Sequence, residues 1–324
     1  MATVAYGDTF NVTQYFGEVF QAVPLQAPFL ASLAGQQAGA VKLPSPEDVQ
    51  GLRVCWTLEP ERGVTNQTGV VESGTPTVRT NVFTQEYNVI QDFQESFMLS
   101  YARLGASNYE YNATIWNAAG PTPSGFDKQM FSLVKSVAKA IDYSMFRNTR
   151  AMPGNNSSAR AMGGLYTLGS TNAKNYETTD MDKATFLAHL ASSYDNGALR
   201  GSGRYACFCS STVKAKISEL LGLATYRVLP VTSMANVNVT SVETDFGILD
   251  LILSPNQPTY SYIIADLSEM GLYGLNVPGK GNFFVEELGR LGSYIQYQLW
   301  GNVTLKFGHE YHLIVGKNIG GTSA

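Results

Sequence analysis

The chain has 324 residues, room for one elaborated domain or two intertwined lobes, and 44% of them are hydrophobic, so a sizeable core can be buried. Charged residues make up only 15%, against roughly 25% in ordinary globular proteins, while there are 18 Tyr and 16 Phe. Interface cores are poor in charge and rich in aromatics, so this balance suits a surface covered by other copies of the chain. A net charge of −4 argues against tight electrostatic binding of DNA or RNA, which needs clustered Lys and Arg. It is compatible with a wall that encloses a polyanion without gripping it.

Three cysteines, Cys55, Cys207 and Cys209, do not make a disulfide framework. The opening residues Met1–Asp8 have neither a basic start nor an apolar run, so no secretory leader is expected, and no apolar stretch has the length of a membrane span.

Residues 1–50 read as an N-terminal arm. A short helix is expected near Val12–Ala22, and Pro24, Pro28, Pro44 and Pro46 predict an extended course after it, because proline disfavours helix at the residue before it. Leu25, Phe29, Leu30 and Leu33 must bury on the rest of the subunit or on a neighbour. Residues 51–100 read as two long β segments, Leu52–Leu58 and Val78–Ser100, flanking Glu59–Thr77. That middle stretch is rich in glycine and poor in apolar residues, as a projecting hairpin tip would be.

Phe126, Met130, Val134, Val137, Ile141 and Met145 recur every three or four positions and predict a helix over 126–148, roughly 34 Å long, with one apolar stripe. Lys128, Lys135, Lys139 and Arg147 fall largely off that stripe, on a solvated face. Residues 149–180, rich in Gly, Asn and Ser, read as a loop. A helix over Met181–Ser193 follows, with Asp180 as cap candidate. Tyr205–Ser210 reads as a buried strand and Ser211–Leu221 as a helix. Strands are expected at Val228–Pro230, Val237–Thr244 and Ile248–Leu253, the last two joined by a turn at Asp245-Phe-Gly247. Further strands follow at Tyr262–Asp266, Phe283–Glu287, Ser293–Leu299 and Val303–Val315. The class is α+β.

Residues that carry chemistry are few. His309-Glu310-Tyr311-His312 invites a metal reading, but as a strand it would turn its two histidines to opposite faces, and it lacks the HExxH spacing. His189 reads as a packed helix residue. Cys207 and Cys209 share one strand face and read as two small buried hydrophobes, with neither redox spacing nor further zinc ligands nearby. There is no GxSxG elbow, Gly279-Lys-Gly281 lacks the rest of a phosphate loop, and Glu286 and Glu287 alternate faces. No catalytic group, cofactor or metal is expected. Glu59, Glu61 and Arg62 at the hairpin tip are candidates to pair with a neighbour and set register.

The order of the elements carries a resemblance. Pro28-Phe-Leu-Ala-Ser-Leu-Ala-Gly35 is similar to an arm motif and Cys55-Trp-Thr-Leu58 to the strand that enters an extended loop. Arg79-Thr-Asn81, Gln91-Asp-Phe-Gln94 and Leu99-Ser100 resemble its return strand. Thr244-Asp-Phe-Gly-Ile248, Asp266-Leu-Ser and His312-Leu-Ile-Val-Gly-Lys-Asn318 fit the later lobe. Together they resemble the major capsid proteins of tailed bacteriophages, with the Johnson fold (the Hong Kong ninety-seven-type capsid fold).

The resemblance implies an N-arm over 1–50 and an extended loop with the start of a peripheral domain over 51–100. It implies a peripheral domain over 101–181 with a spine helix at 126–148, an axial domain over 182–280 and a return to the peripheral domain over 281–324. It implies pentamers and hexamers of an icosahedral shell around double-stranded DNA, assembled in the bacterial cytoplasm and found in the virion. Scaffolding and portal proteins, and a cement or decoration protein, are the implied partners; no membrane is. Phe29, Leu30, Glu59, Glu61, Arg62 and Arg79 are the candidates for inter-subunit contact. Two rivals are an encapsulin-like compartment around a cargo enzyme, and an enzyme of unknown type, which would need a convergent polar cluster.

Overall fold

A computed structural model describes residues 27–34, 43–44, 46–59, 72–75, 78, 80–101, 116–117, 120–121, 125–155, 157–201, 203–221, 232–234 and 237–323. The helix expected at Val12–Ala22, the strand at Val228–Pro230 and most of Glu59–Thr77 lie outside these residues.

The first described element corrects an expectation. Pro28–Ala34 is a helix, α1, where an extended run was predicted. Proline is tolerated at the first helical position, where its missing N–H would find no intrahelical partner anyway. Helix α1 also has a cap from a distant part of the chain. The carboxylate of Asp142 accepts the Leu30 N–H at 2.9 Å and that of Phe29 as well. These are amide donors that a helix start leaves orphaned.

Two sheets carry the body. The smaller contains β1 (Glu47–Val49), β4 (Gln91–Ser100), β13 (Gly271–Leu275), β14 (Phe283–Leu291) and β15 (Tyr294–Lys306), with β15 pairing to β4, β13 and β14. The larger has seven strands in the order β7-β16-β12-β8-β11-β10-β9: β7 (Asn172–Asn175), β8 (Arg204–Cys209), β9 (Thr232–Met234), β10 (Val237–Thr244), β11 (Gly247–Leu253), β12 (Tyr262–Ala265) and β16 (Ile314–Lys317). Strands β2 (Arg53–Leu58) and β3 (Thr84–Val89) pair antiparallel with each other in a separate two-stranded ribbon. A second small pair joins β5 (Trp116–Asn117) and β6 (Gly120–Pro121).

The segment Val78–Ser100 is therefore not one strand. It breaks at Ile90, fully buried, and its two halves serve different sheets, β3 the ribbon and β4 the body. Residues 300–302, expected as a gap, continue β15 without interruption. At Gly301 the missing side chain leaves room for the ring of Phe283, the cross-strand partner; a Cβ there would sit 2.0 Å from Phe283 Cδ1.

Helix α2 (Gly125–Arg147) is the longest helix and presents Leu133, Val137, Ala138, Ile141, Met145 and Phe146 to the first core. This core also takes Phe29 and Leu30 of α1, Phe93 of β4, Leu299, Val303 and Leu305 of β15, and one face of the seven-stranded sheet through Ala206, Phe208, Ile263 and Val315. Strand alternation sends Tyr205, Cys207, Cys209, Tyr262 and Ile264 to the other face. There α4 (Lys183–Asp195) and α5 (Ser211–Leu221) close a second core through Phe186, Leu190, Val213 and Ile217. The large sheet is thus covered on both sides, which explains its run of buried residues in β8 and β12.

Three further expectations are corrected. Residues 149–180 are not only loop: they contain a short helix α3 (Leu165–Leu168) and the edge strand β7, whose sequence Asn-Ala-Lys-Asn gives no apolar signal because an edge needs little. Helix α4 is capped by Asp182, in a reciprocal box with Thr185, and Asp180 instead pairs with Lys216 at 2.5 Å. Finally, residues 307–313 leave the sheet: Glu310–His312 is a 3₁₀ turn between β15 and β16.

Candidate assembly surface

The candidate residues do not converge. Phe29 and Leu30 are 0% and 1% exposed, packed against Phe146 and Phe208 inside the subunit, so their apolar surface is spent within their own chain. Glu59, exposed, follows β2 and accepts a hydrogen bond from Asn81 Nδ2 at 3.1 Å. Glu61, Arg62 and Arg79 lie outside the described residues.

The residues that the ribbon brings forward are different ones. On the strand side that leads into β3, Val78, Val82 and Phe83 are 90%, 70% and 58% exposed. Two adjacent large apolar groups in that state are unusual on a self-sufficient monomer and mark a contact surface. The signal was in the sequence: Val82 and Phe83 stand side by side after polar Arg79-Thr-Asn81, in a stretch without alternation, so one of the two must face outward.

The foot of the ribbon is fixed to the body. The Trp56 indole N–H donates to the Gly308 carbonyl at 2.8 Å, and the ring meets Phe307 edge-on at 4.9 Å. Arg150 lies over the Tyr87 ring at 4.0 Å and pairs with Glu86. The ribbon is therefore tied to the body through Trp56, Glu86 and Tyr87, and the segment that leads into β3 exposes Val78, Val82 and Phe83.

The histidines, Cys207, Cys209 and Glu310 all have partners within the subunit. His309 and His312 lie in the 3₁₀ turn, not on a strand, so their rings are on one side, 5.8 Å apart. His312 Nδ1 meets Glu269 Oε2 at 2.6 Å, and Glu310 is occupied by Ser170 and Thr171. Among the described residues no group of three or more His, Cys, Asp and Glu could hold a metal ion. The thiols of Cys207 and Cys209 are 3.4 Å apart and fully buried, and the hydrogen bond with Cys209, followed by burial, pushes the Cys207 thiol well up. His189 is buried and neutral. Its Nε2–H donates to the Asn172 carbonyl at 3.1 Å, which leaves Nδ1 to accept from the Tyr262 hydroxyl at 2.6 Å, and the Tyr176 hydroxyl lies 3.0 Å from that of Tyr262. Sequence reading took His189 as packed but missed this chain of polar contacts, because Tyr262 and Asn172 are remote in sequence.

A two-sheet body with one long helix and an anchored two-stranded ribbon is similar to solved capsid structures. The capsid of cyanophage A-1(L) superposes with a TM-score of 0.63 at 11% identity, covering 95% of this chain and 97% of that one. The capsid of a native GTA particle gives 0.55 at 10% identity, with 98% of each chain covered. The SrpI encapsulin of Synechococcus elongatus also gives 0.55 at 10% identity, over 93% and 92%. At such identities the likeness is one of fold, shared by phage capsids and an encapsulin. The family is decided by sequence: residues 2–320 match the model of the SU10 major capsid protein family, and the chain belongs to it. None of the curated proteins matches. The protein is a phage major capsid protein, a structural component of the virion that self-assembles into its shell.

Proposed function

We propose that the subunit closes a shell of pentamers and hexamers around double-stranded DNA by docking its β2–β3 ribbon, through Val78, Val82 and Phe83, onto a neighbouring copy. The exposure of those three side chains, on the segment that leads into β3 of the ribbon, is the observation that carries this reading. Ring-forming contacts are heterologous: one surface meets a different surface on the next copy, and rotation closes the ring. Many such contacts engaged at once hold each subunit far more firmly than any one does. The net charge of −4 suits a wall that does not bind DNA tightly.

In this reading residues 1–50 are the arm, 51–100 the extended loop and start of the peripheral domain, 101–181 the peripheral domain with its spine helix, 182–280 the axial domain and 281–324 the return. Glu59, Glu61, Arg62 and Arg79 pair across the subunit boundary and set register, whereas Phe29 and Leu30 hold the arm to its own subunit. The protein has no catalytic role, a scaffolding protein and a portal act with it during assembly in the host cytoplasm, and a decoration protein binds the finished shell.

The test is the double substitution Val82→Asp with Phe83→Asp. The variant is expected to fold with unchanged circular dichroism and to stay as free subunits under conditions where the unsubstituted chain forms shells. Shells at normal yield, seen by electron microscopy, would remove the ribbon from the assembly contact.

A further inference from the structure

The chain crosses between the two sheets three times. It passes from β4 to β7 through α2 and α3, from β12 to β13 through residues 266–270, and from β15 to β16 through residues 307–313. The three crossings meet at one place and are pinned to each other there. Glu310 Oε1 accepts from the backbone N–H groups of Ser170 and Thr171 at 3.1 and 2.8 Å and from their hydroxyls at 2.6 and 2.8 Å. This joins the third crossing to the end of the first. The 2.6 Å contact of His312 Nδ1 with Glu269 Oε2 joins the third to the second. Glu269 lies so close to Gly308 that a Cβ there would be 2.5 Å from Oε2, and Gly308 takes a φ of +71°, which suits glycine.

The ribbon is tied to the same point, since the Gly308 carbonyl is the acceptor of the Trp56 indole. The second and third crossings each contain one 3₁₀ turn, Leu267–Glu269 and Glu310–His312. Phe307 and Leu313, both buried, fix the chain on either side of the latter turn. Rotation of one sheet against the other must be taken up in these crossings, and here polar side chains join them beside the core packing of Phe307 and Leu313. Such contacts can be exchanged for others at small net cost.

We propose that Trp56, Glu269, Glu310 and His312 form a hinge lock that sets the angle between the two sheets and ties it to the direction of the β2–β3 ribbon. The inference rests on the ribbon docking proposed above: a ribbon held by a neighbour fixes Trp56, Trp56 fixes Gly308, and the sheet angle, and with it the curvature of the shell, follows.

Two variants test it. Trp56→Phe keeps the ring and removes the N–H, and Glu310→Ala removes the link to Ser170 and Thr171. Hydrogen exchange is measured on free subunits and on shells, with shell diameters from electron microscopy. In the unsubstituted protein, assembly is expected to slow exchange in the ribbon and at Thr171 and Leu313 together. In the variants the ribbon gain remains, the gain at Thr171 and Leu313 falls by about tenfold, and the diameters spread. Variant shells with unchanged diameters and unchanged gains at both places would overturn the hinge lock. If Glu310→Ala does not fold, Glu269→Gln is read in the same way. Ribbon exchange that assembly leaves untouched in the unsubstituted protein would instead remove the docking reading. The hinge lock would then be read in free subunits, where Trp56→Phe is expected to speed exchange at Thr171 and Leu313 about tenfold and an unchanged rate would overturn it.

Discussion

Asp142 and His189 are buried ionisable groups whose titrations oppose each other. Burial raises the Asp142 carboxyl from 3.8 to about 6, partly offset by hydrogen bonds from Asn256 and from the Leu30 and Phe29 amides. Its folded-state value lies above its unfolded one, so its contribution to stability is whole below pH 3.8 and is lost as pH rises through about 6. Burial lowers His189 from 6.5 to about 4, so its contribution is whole above pH 6.5 and is lost as pH falls through about 4. Between those limits the two slopes have opposite sign. Unassembled Asp142→Asn subunits are therefore expected to lose thermal stability on acidification from pH 6.5 to 4, and His189→Gln subunits to gain it. Thermal unfolding across that range, with slopes equal to the unsubstituted protein, would contradict both assignments. Gly301→Ala tests the packing of Phe283 in the same way, with an expected loss of about 1–3 kcal/mol from the displaced ring. None of these effects was legible in the sequence: the partners of Asp142 lie more than a hundred residues away, Tyr262 lies 73 residues from His189, and the Gly301 contact depends on a strand pairing that no local pattern announces.

At the scale of elements, local periodicity told most where an element has one buried stripe or two. The spacing of Met130, Val134, Val137, Ile141 and Met145 marked α2, which runs over Gly125–Arg147, and α5 lies over Ser211–Leu221 as its apolar positions predicted. Val137 is 3% exposed, so Val137→Asp buries an unpaired charge in the first core. It is expected to cost several kcal/mol and leave no soluble folded subunit, which expression and circular dichroism would show. Where burial is one-sided or borrowed, the sequence was mute or misleading. Helix α1 was read as extended because its start is capped by Asp142 of another helix, and β7 was read as loop because its polar residues pair at a sheet edge. The run Val78–Ser100 looked like one strand because nothing in its composition records the change of sheet at Ile90.

At the scale of the molecule, low charge and abundant aromatics pointed to a chain completed by its own copies. The ordered motifs pointed to a capsid fold, which the family match over residues 2–320 bears out. The contact residues were harder to read. Phe29 and Leu30 looked like free apolar groups of an arm, yet they hold that segment to its own core, while Val82 and Phe83, hidden inside an apparent strand, are among the groups that face solvent. Sequence pattern reports that a side chain is apolar; it does not report whether its partner is in the same copy or the next. Cryo-electron microscopy of the purified, overexpressed protein therefore tests the account most directly. Closed shells in which Val78, Val82 and Phe83 are covered by an adjacent subunit are the expected result. A monodisperse monomer at high concentration, with the β2–β3 ribbon folded back over its own body, would contradict it.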